Sequence, residues 1–466
     1  MKTLADDWRE LIAWFASDTR IAIGIFVLAF MTFGWFSGGA GWNQDAHFDL
    51  TRALVERGTL YIDGYESNTG DVSKGADGHI YINKPPAGSF LAAVPYAIVH
   101  AIAPRFDAQW LVTALTCGLC GALIGPILFL YGRKRVSARA SLAVTLAILF
   151  GTIVFPYSTM LFAHVPTALF LLLAVINMRD RPLLAGAAAG IATSSFYVCA
   201  VAVLIIAIAS PTWRTRLRFI AGGAPFAVLL AIYQWRCFGS PFKTAVEAST
   251  PFTEKGLLFG VLRLPRLGAL YGITFSPYRG LFFVAPVLLF AFIGLRRMER
   301  TREWWAITGS IAAFFIAIAS FNQWHGGWAF GPRYVLPVVP LFGIPMMYAM
   351  PALSRRMRML FIVAAVVSIG VNFLATAVDP MPTSAIDNPL TEYLVPAFFT
   401  GEIPAETRDS VPWFNDTHVK PVAIPRDSTN LGELAFSEGS RLSILPIALW
   451  MLGGTIVLTL AASKRP

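Results

Sequence analysis

Residues 43–50 read NQDAHFDL and place two carboxylates and an imidazole at Asp45, His47 and Asp49. A carboxylate held near an acceptor hydroxyl can take its proton, but the reaction then also needs an electrophile and a stabilised leaving group. The stretch YINKPPAG, residues 81–88, offers that second half. Lys84 precedes two prolines that stiffen the backbone and donate no hydrogen bonds, so a compact ammonium is held where an anionic headgroup or phosphate would sit. Arg279 in SPYRG and Arg333 in GPRY are further cations, and together with Lys84 they describe an anion site. Asp45 is the first candidate for proton acceptor, with Asp49 one helical turn on as the reserve. His164, His325, Arg52 and Tyr81 complete the candidates. Each has a bland alternative: Asp45 can cap a helix start, Lys84 can snorkel to lipid phosphate, and the arginines can anchor helix ends.

The chain that must position these groups has 466 residues, of which 56% are hydrophobic and only 14% charged. With a mean hydropathy of +0.61, this is the composition of a chain crossing a bilayer many times, and the expected class is an all-α integral membrane protein. The first apolar run lacks a small-residue cleavage site, so it is expected to stay as a first helix. The net charge of +10 does not indicate nucleic acid, because the arginines lie in short runs between apolar segments, where the positive-inside rule accounts for them. Cys117 and Cys120 form a C-x-x-C inside an apolar helix with no second pair, which reads as packing.

Candidate spans lie at 21–37, 109–131, 141–159, 163–178, 183–195, 196–210, 219–236, 281–295, 304–320, 334–350, 359–376 and 442–462, about twelve in all. With a cytoplasmic N-terminus, the basic loops near 133–135, 179–181, 214–218, 296–302, 355–358 and 464–465 all fall inside. This requires that 88–104 re-enter rather than cross, and that 183–210 break near TSSFY into two helices. Three segments then face outward: 38–107, 237–280 and 377–441. All six histidines, His47, His79, His100, His164, His325 and His418, fall at or beyond the outer boundary. DAHFDLTRALVERGTL reads as a short helix along the membrane surface, stopped at Gly58.

The order of a first helix, an outer acid, a lysine-proline-proline element and many further spans resembles the GT-C glycosyltransferases. DAHF resembles the acid-x-His-Phe of the protein O-mannosyltransferases, with Asp45 on the second acid of their pair and Gln44 on the first. YINKPPAGSFL is similar to the aromatic-x-x-Lys-Pro-Pro element of the lipid A aminoarabinose transferases, whose phosphate-binding lysine falls on Lys84. LFAHVPTALFLLLA resembles their second outer loop, with His164 at the place of an aspartate. The resemblance covers about residues 20–350 and implies a multi-span GT-C-like bundle. It implies inverting transfer of a sugar from a polyprenyl-phosphate donor to a lipid, glycan or protein acceptor at the outer face of a bacterial inner membrane. It calls for no nucleotide, and the chain contains no phosphate-binding glycine motif. No cofactor is indicated; Asp45, His47, Asp49, His164 and His325 are ligand types, but their spacing defines no metal set.

Two other readings compete. A transporter or flippase suits the broken 183–210 region and its glycines, but no internal repeat is evident and the ionisable groups gather outside rather than at mid-membrane. A non-catalytic assembly or lipid-binding protein is the third. The topology is open to cysteine labelling from the outer side, which should reach position 71 and spare position 135. The reverse pattern would overturn it.

Overall fold

The computed structural model describes residues 17–39, 41–106, 108–249, 262–400, 429–436 and 440–463. Six helices are long and apolar enough to cross a membrane: Asp18–Trp35, Gln109–Arg133, Trp213–Phe238, Arg333–Ala352, Arg355–Val378 and Arg441–Ser463. They answer to six of the expected spans. The other six fold as helices of 18 residues or fewer, some in pieces. The 281–295 segment breaks at Pro286, which has no N–H to continue a ladder, into Leu281–Val284, a tight turn Pro286–Leu289 and Phe290–Arg297. The 183–210 stretch divides where expected, into Pro182–Ser195 and Cys199–Ala209, with Phe196 extended after the first.

Contacts sort the elements into two ends. At one end Arg133 Nε lies 3.1 Å from Asp18 Oδ2, Arg135 Nε donates to Tyr348 Oη at 3.0 Å, and Arg139 Nε donates to Ser463 Oγ at 2.8 Å. The 133–135 loop, the start of the first span and the end of the last one therefore meet, as the charge pattern requires. At the other end Phe36–Ser37 pairs antiparallel with Thr429–Asn430. The 88–104 stretch is the helix Ala87–Ile102, and it neither starts nor finishes at the basic end. Ser89 lies against His47, and beyond the helix Gln109 Nε2 donates to Asp45 Oδ1 at 3.3 Å.

Inside a bilayer, helix association depends on close packing rather than on the release of water. Phe33, Phe150 and Phe155 interlock with ring centroids 5.5 to 5.8 Å apart. Side chains at Gly186 or Gly222 would overlap the facing carbonyls of Phe219 and Leu183, so Pro182–Ser195 and Trp213–Phe238 touch backbone to backbone. The cysteines are free, and Cys117 is buried with its thiol on the Phe162 carbonyl at 3.3 Å.

One expectation needs correction. The chain is not purely helical: besides the Phe36–Ser37 ladder, Val72–Lys74 and Ile80–Ile82 form a hairpin. In Trp42–Arg52, Asn43, Gln44, Ala46, His47, Asp49, Leu50 and Thr51 are buried against the rest of the protein. The turn Ala53–Arg57 follows and stops at Gly58, as the sequence suggests. Residues 250–261 and 401–428, including His418, lie outside the described residues.

Gly88 lets Ala87–Ile102 seat against its neighbours, since a Cβ there would sit 2.9 Å from Ala163 Cβ and 3.3 Å from His47 Cε1. Gly88→Ala should cost about 1–3 kcal/mol through overpacking, seen as a lower thermal midpoint in detergent. An unchanged midpoint would mean that this seat is looser than described.

Candidate functional site

The hairpin assembles the first part of the site. Its turn contains Asp77-Gly78, a strong hairpin signal, and its ladder pairs Val72 with Ile82 and Lys74 with Ile80. One step outward Asp71 falls opposite Asn83, and Asn83 N donates to the Asp71 carbonyl at 2.9 Å. The next residue is Lys84, whose Nζ lies 3.0 Å from Asp71 Oδ2. Asn83 Nδ2 donates to Asp71 Oδ1 at 3.3 Å, and Asp71 N donates to Thr69 Oγ1 at 3.0 Å. The Asp71 side chain is 7% exposed and that of Lys84 19%, so the pair is largely out of water.

Helix geometry divides the residues of Trp42–Arg52. His47 turns toward the hairpin's continuation, with Nδ1 3.0 Å from Ser89 Oγ. Thr51 Oγ1 fixes this contact by donating to the carbonyls of His47 at 2.7 Å and Ser89 at 3.2 Å. Burial and then the Lys84 charge lower the His47 pKa to about 3, against the opposing pull of Asp71, so the ring is neutral at physiological pH. Asp45 and Asp49 point elsewhere. Asp45 accepts from Gln109. Asp49 accepts from Asn68 Nδ2 at 3.0 Å, while its Oδ2 has no partner. Burial pushes Asp49 up to about 7, despite Asn68 and Arg52. Arg52 pairs with Glu56 at 3.0 Å and covers the Tyr65 ring, and Tyr81 donates to Asp77 at 2.7 Å inside the hairpin. Neither Arg52 nor Tyr81 reaches the Lys84 pair by any of these bonds; both tie neighbouring residues of 52–81 together.

The core helices bring the second part. Arg333, 9% exposed, has an Nε without a partner, and its only side-chain hydrogen bond among the described residues is a long one, 3.5 Å from Nη2 to Tyr334 Oη. Its guanidinium lies 5.1 Å from the ring centroids of both Phe162 and Tyr334. His164 opens the helix His164–Asn177 and is 5% exposed, yet neither of its ring nitrogens has a partner. A Cβ at Gly88 would meet both His47 and Ala163, the residue before His164, whose ring lies 5.8 Å from that of Tyr334, beside the Arg333 guanidinium. The Lys84–Asp71 pair, His47, His164 and Arg333 are linked through these neighbours.

Arg279 and His325 stand behind it. Arg279 is fully buried and donates to the carbonyls of Tyr278 at 3.2 Å, Gly327 at 3.1 Å and Pro382 at 3.4 Å. Those bonds use both terminal nitrogens to tie three segments together, while Nε has no partner. His325 Nδ1 accepts from Gly327 N at 3.0 Å, and burial, then Arg279 and Arg333, lower its pKa to about 4. Among the described residues, no three or more His, Cys, Asp or Glu side chains are grouped so as to hold a metal ion.

Buried donors without acceptors, arranged around one buried ion pair, suit an anionic ligand. Asp71, Asn83 and Tyr334 were not among the residues singled out by sequence. Counting outward from the Asp-Gly turn would have set Asp71 opposite Asn83, whereas nothing local links Tyr334 to Lys84.

The architecture matches solved glycosyltransferases. ArnT from Cupriavidus metallidurans in the apo state aligns over 99% of this chain and 77% of its own, with TM-score 0.50 and 15% identity. ArnT from the same organism bound to undecaprenyl phosphate aligns over 95% and 76%, with TM-score 0.49 and 14% identity. The archaeal oligosaccharyltransferase AglB from Archaeoglobus fulgidus, in complex with an inhibitory peptide and a dolichol-phosphate, aligns over 86% and 60%, with TM-score 0.45 and 12% identity. No family model and no curated protein matches the sequence. At this identity the likeness to ArnT is one of fold.

Asp49 binds its proton more tightly in the folded chain than its ordinary value of 3.8 allows. Its ionisation therefore costs stability progressively as pH rises from about 4 to about 7. Thermal midpoints should fall across that window in the native chain and fall less in Asp49→Asn; parallel curves would contradict the burial argument.

Proposed function

We propose that this protein moves a sugar from a polyprenyl-phosphate donor to an acceptor hydroxyl on the extracytoplasmic face of a bacterial inner membrane, with inversion at the anomeric carbon. One observation carries the reading. Lys84 and the underpartnered Arg333 converge with His47 and with His164, neither of whose ring nitrogens has a partner, at the end of the bundle remote from the basic loops. In a chain of about twelve passes, that end faces outward by the positive-inside rule. The fold shared with ArnT supports it.

In this reading the acceptor hydroxyl loses its proton to a carboxylate of Trp42–Arg52 and attacks the anomeric carbon. The bond to phosphate breaks with its electron pair on the phosphate. Lys84 and Arg333 neutralise the charge that develops there, and His47 and His164 supply neutral donors beside them. Arg279 holds the outer segments around Arg333. Asp45 is the assigned base. Asp49 is the alternative, favoured by a pKa near neutrality and an unpartnered oxygen. The acceptor is a lipid, glycan or protein hydroxyl, and no nucleic acid is involved.

A radiolabelled sugar on polyprenyl phosphate, incubated with purified protein and an acceptor extract, tests the proposal. Lys84→Ala should lower kcat more than it raises KM, because the leaving phosphate gains charge only in the transition state. Asp45→Asn should lower turnover by at least about a hundredfold, the usual scale for a positioned base. Normal turnover in Asp45→Asn with loss in Asp49→Asn would move the base by one helical turn. Movement of intact lipid across the bilayer, with the sugar-phosphate bond never cleaved, would replace a transferase with a transporter.

A further inference from the structure

Asp71 has no role in the chemistry above, yet it makes the one ion pair of Lys84. It is 5% exposed, and three groups pin it. Asn83 Nδ2 holds Oδ1, the ladder bond from Asn83 N holds its carbonyl, and Thr69 Oγ1 holds its amide while itself donating to the Trp42 carbonyl at 2.6 Å. The lysine ammonium sits on a flexible stem, so of the two partners it is Lys84 that can move. An anion entering the site must take the ammonium from Asp71, and Asp71 then stays behind, buried and without its counter-charge. That state is costly and drives the ammonium back.

The two phosphates the site would meet differ in charge. A sugar-phosphate-lipid donor is a diester with one ionisable oxygen, whereas the lipid phosphate left after transfer is a monoester with two. A pocket of buried cations, with an underpartnered Arg333 and two unpartnered His164 nitrogens, would hold the product more tightly than the substrate. Product release would then limit turnover.

Resting on the transferase reading, we infer that Asp71 is a fixed internal counter-ion that competes with the lipid phosphate for Lys84 and so expels the product after each transfer. It is a positioning residue. No proton passes through it, and no bond forms or breaks on it.

The test uses the full chain in nanodiscs, with polyprenyl phosphate as ligand and the sugar-linked lipid as substrate. Asp71→Asn should bind polyprenyl phosphate roughly tenfold tighter, the scale of removing one nearby competing charge. Its single-turnover rate should stay native, while steady-state turnover falls and a burst of one equivalent precedes it. Lys84→Ala should bind the same lipid more weakly. Asn83→Ala offers an independent check if Asp71→Asn does not fold. A carboxylate that loses its second donor holds Lys84 harder, so binding should weaken several-fold. Unchanged or weaker lipid binding in a folded Asp71→Asn, tighter binding in Asn83→Ala, or equal losses in the single-turnover and steady-state rates of Asp71→Asn would each overturn the inference. If native protein binds and transfers normally but Asp71→Asn binds no tighter, only this inference fails. If native protein neither binds polyprenyl phosphate nor cleaves the donor, the transferase reading fails with it.

Discussion

The 3.0 Å pair between Lys84 and Asp71 dictates much of the outer structure around it. Taking an ammonium and a carboxylate out of water is costly unless the geometry is good and the remaining donors and acceptors are filled. The hairpin register supplies that geometry by placing Asp71 opposite Asn83, next to the lysine. Thr69 ties the same turn to the carbonyl of Trp42, and so to the start of the helix that carries His47. Pro85 and Pro86 then lead straight into Ala87–Ile102, which returns Ser89 to His47. Hairpin, buried helix and Ala87–Ile102 are thus locked to one another through the surroundings of one charge pair.

The two ends of the bundle treat cations differently. At the basic end Arg133 and Arg135 meet Asp18 and Glu303, and such pairs close loops without burying charge deeply. At the opposite end Arg279 and Arg333 are both buried with an Nε that has no partner, but the terminal nitrogens of Arg279 meet three carbonyls whereas the Arg333 side chain makes one long bond, to Tyr334. The cation with more of its donors filled ties segments together. The one with fewer, next to unpartnered imidazole nitrogens, is the better suited to an anionic ligand, a difference of degree that sequence position does not show.

Neutral histidines fit the same logic. His47 and His325 keep their protons off because they are buried beside positive charge, so they add hydrogen-bonding capacity without adding to the repulsion among the cations. Asp49 is the converse case, a carboxylate whose burial outweighs the arginine and amide beside it. Burial thus favours the neutral form of both a histidine and a carboxylate that lie only two residues apart on one helix.

The apolar helices and the broken helix near Ser195 were legible in the sequence, because hydropathy and helix-breaking residues act over neighbouring positions. The stop at Gly58 was legible for the same local reason. The partner of Lys84 was not, since it depends on hairpin register, and the burial of Trp42–Arg52 was not, because amphipathicity does not say whether a polar face meets water or protein. Nor could spacing separate Arg279 from Arg333, or turn Asp45 toward Gln109 and His47 toward Ser89. Those outcomes rest on which distant groups are packed alongside, and burial and pairing, which decide whether a charge is structural or open to a ligand, exist only once the chain is folded.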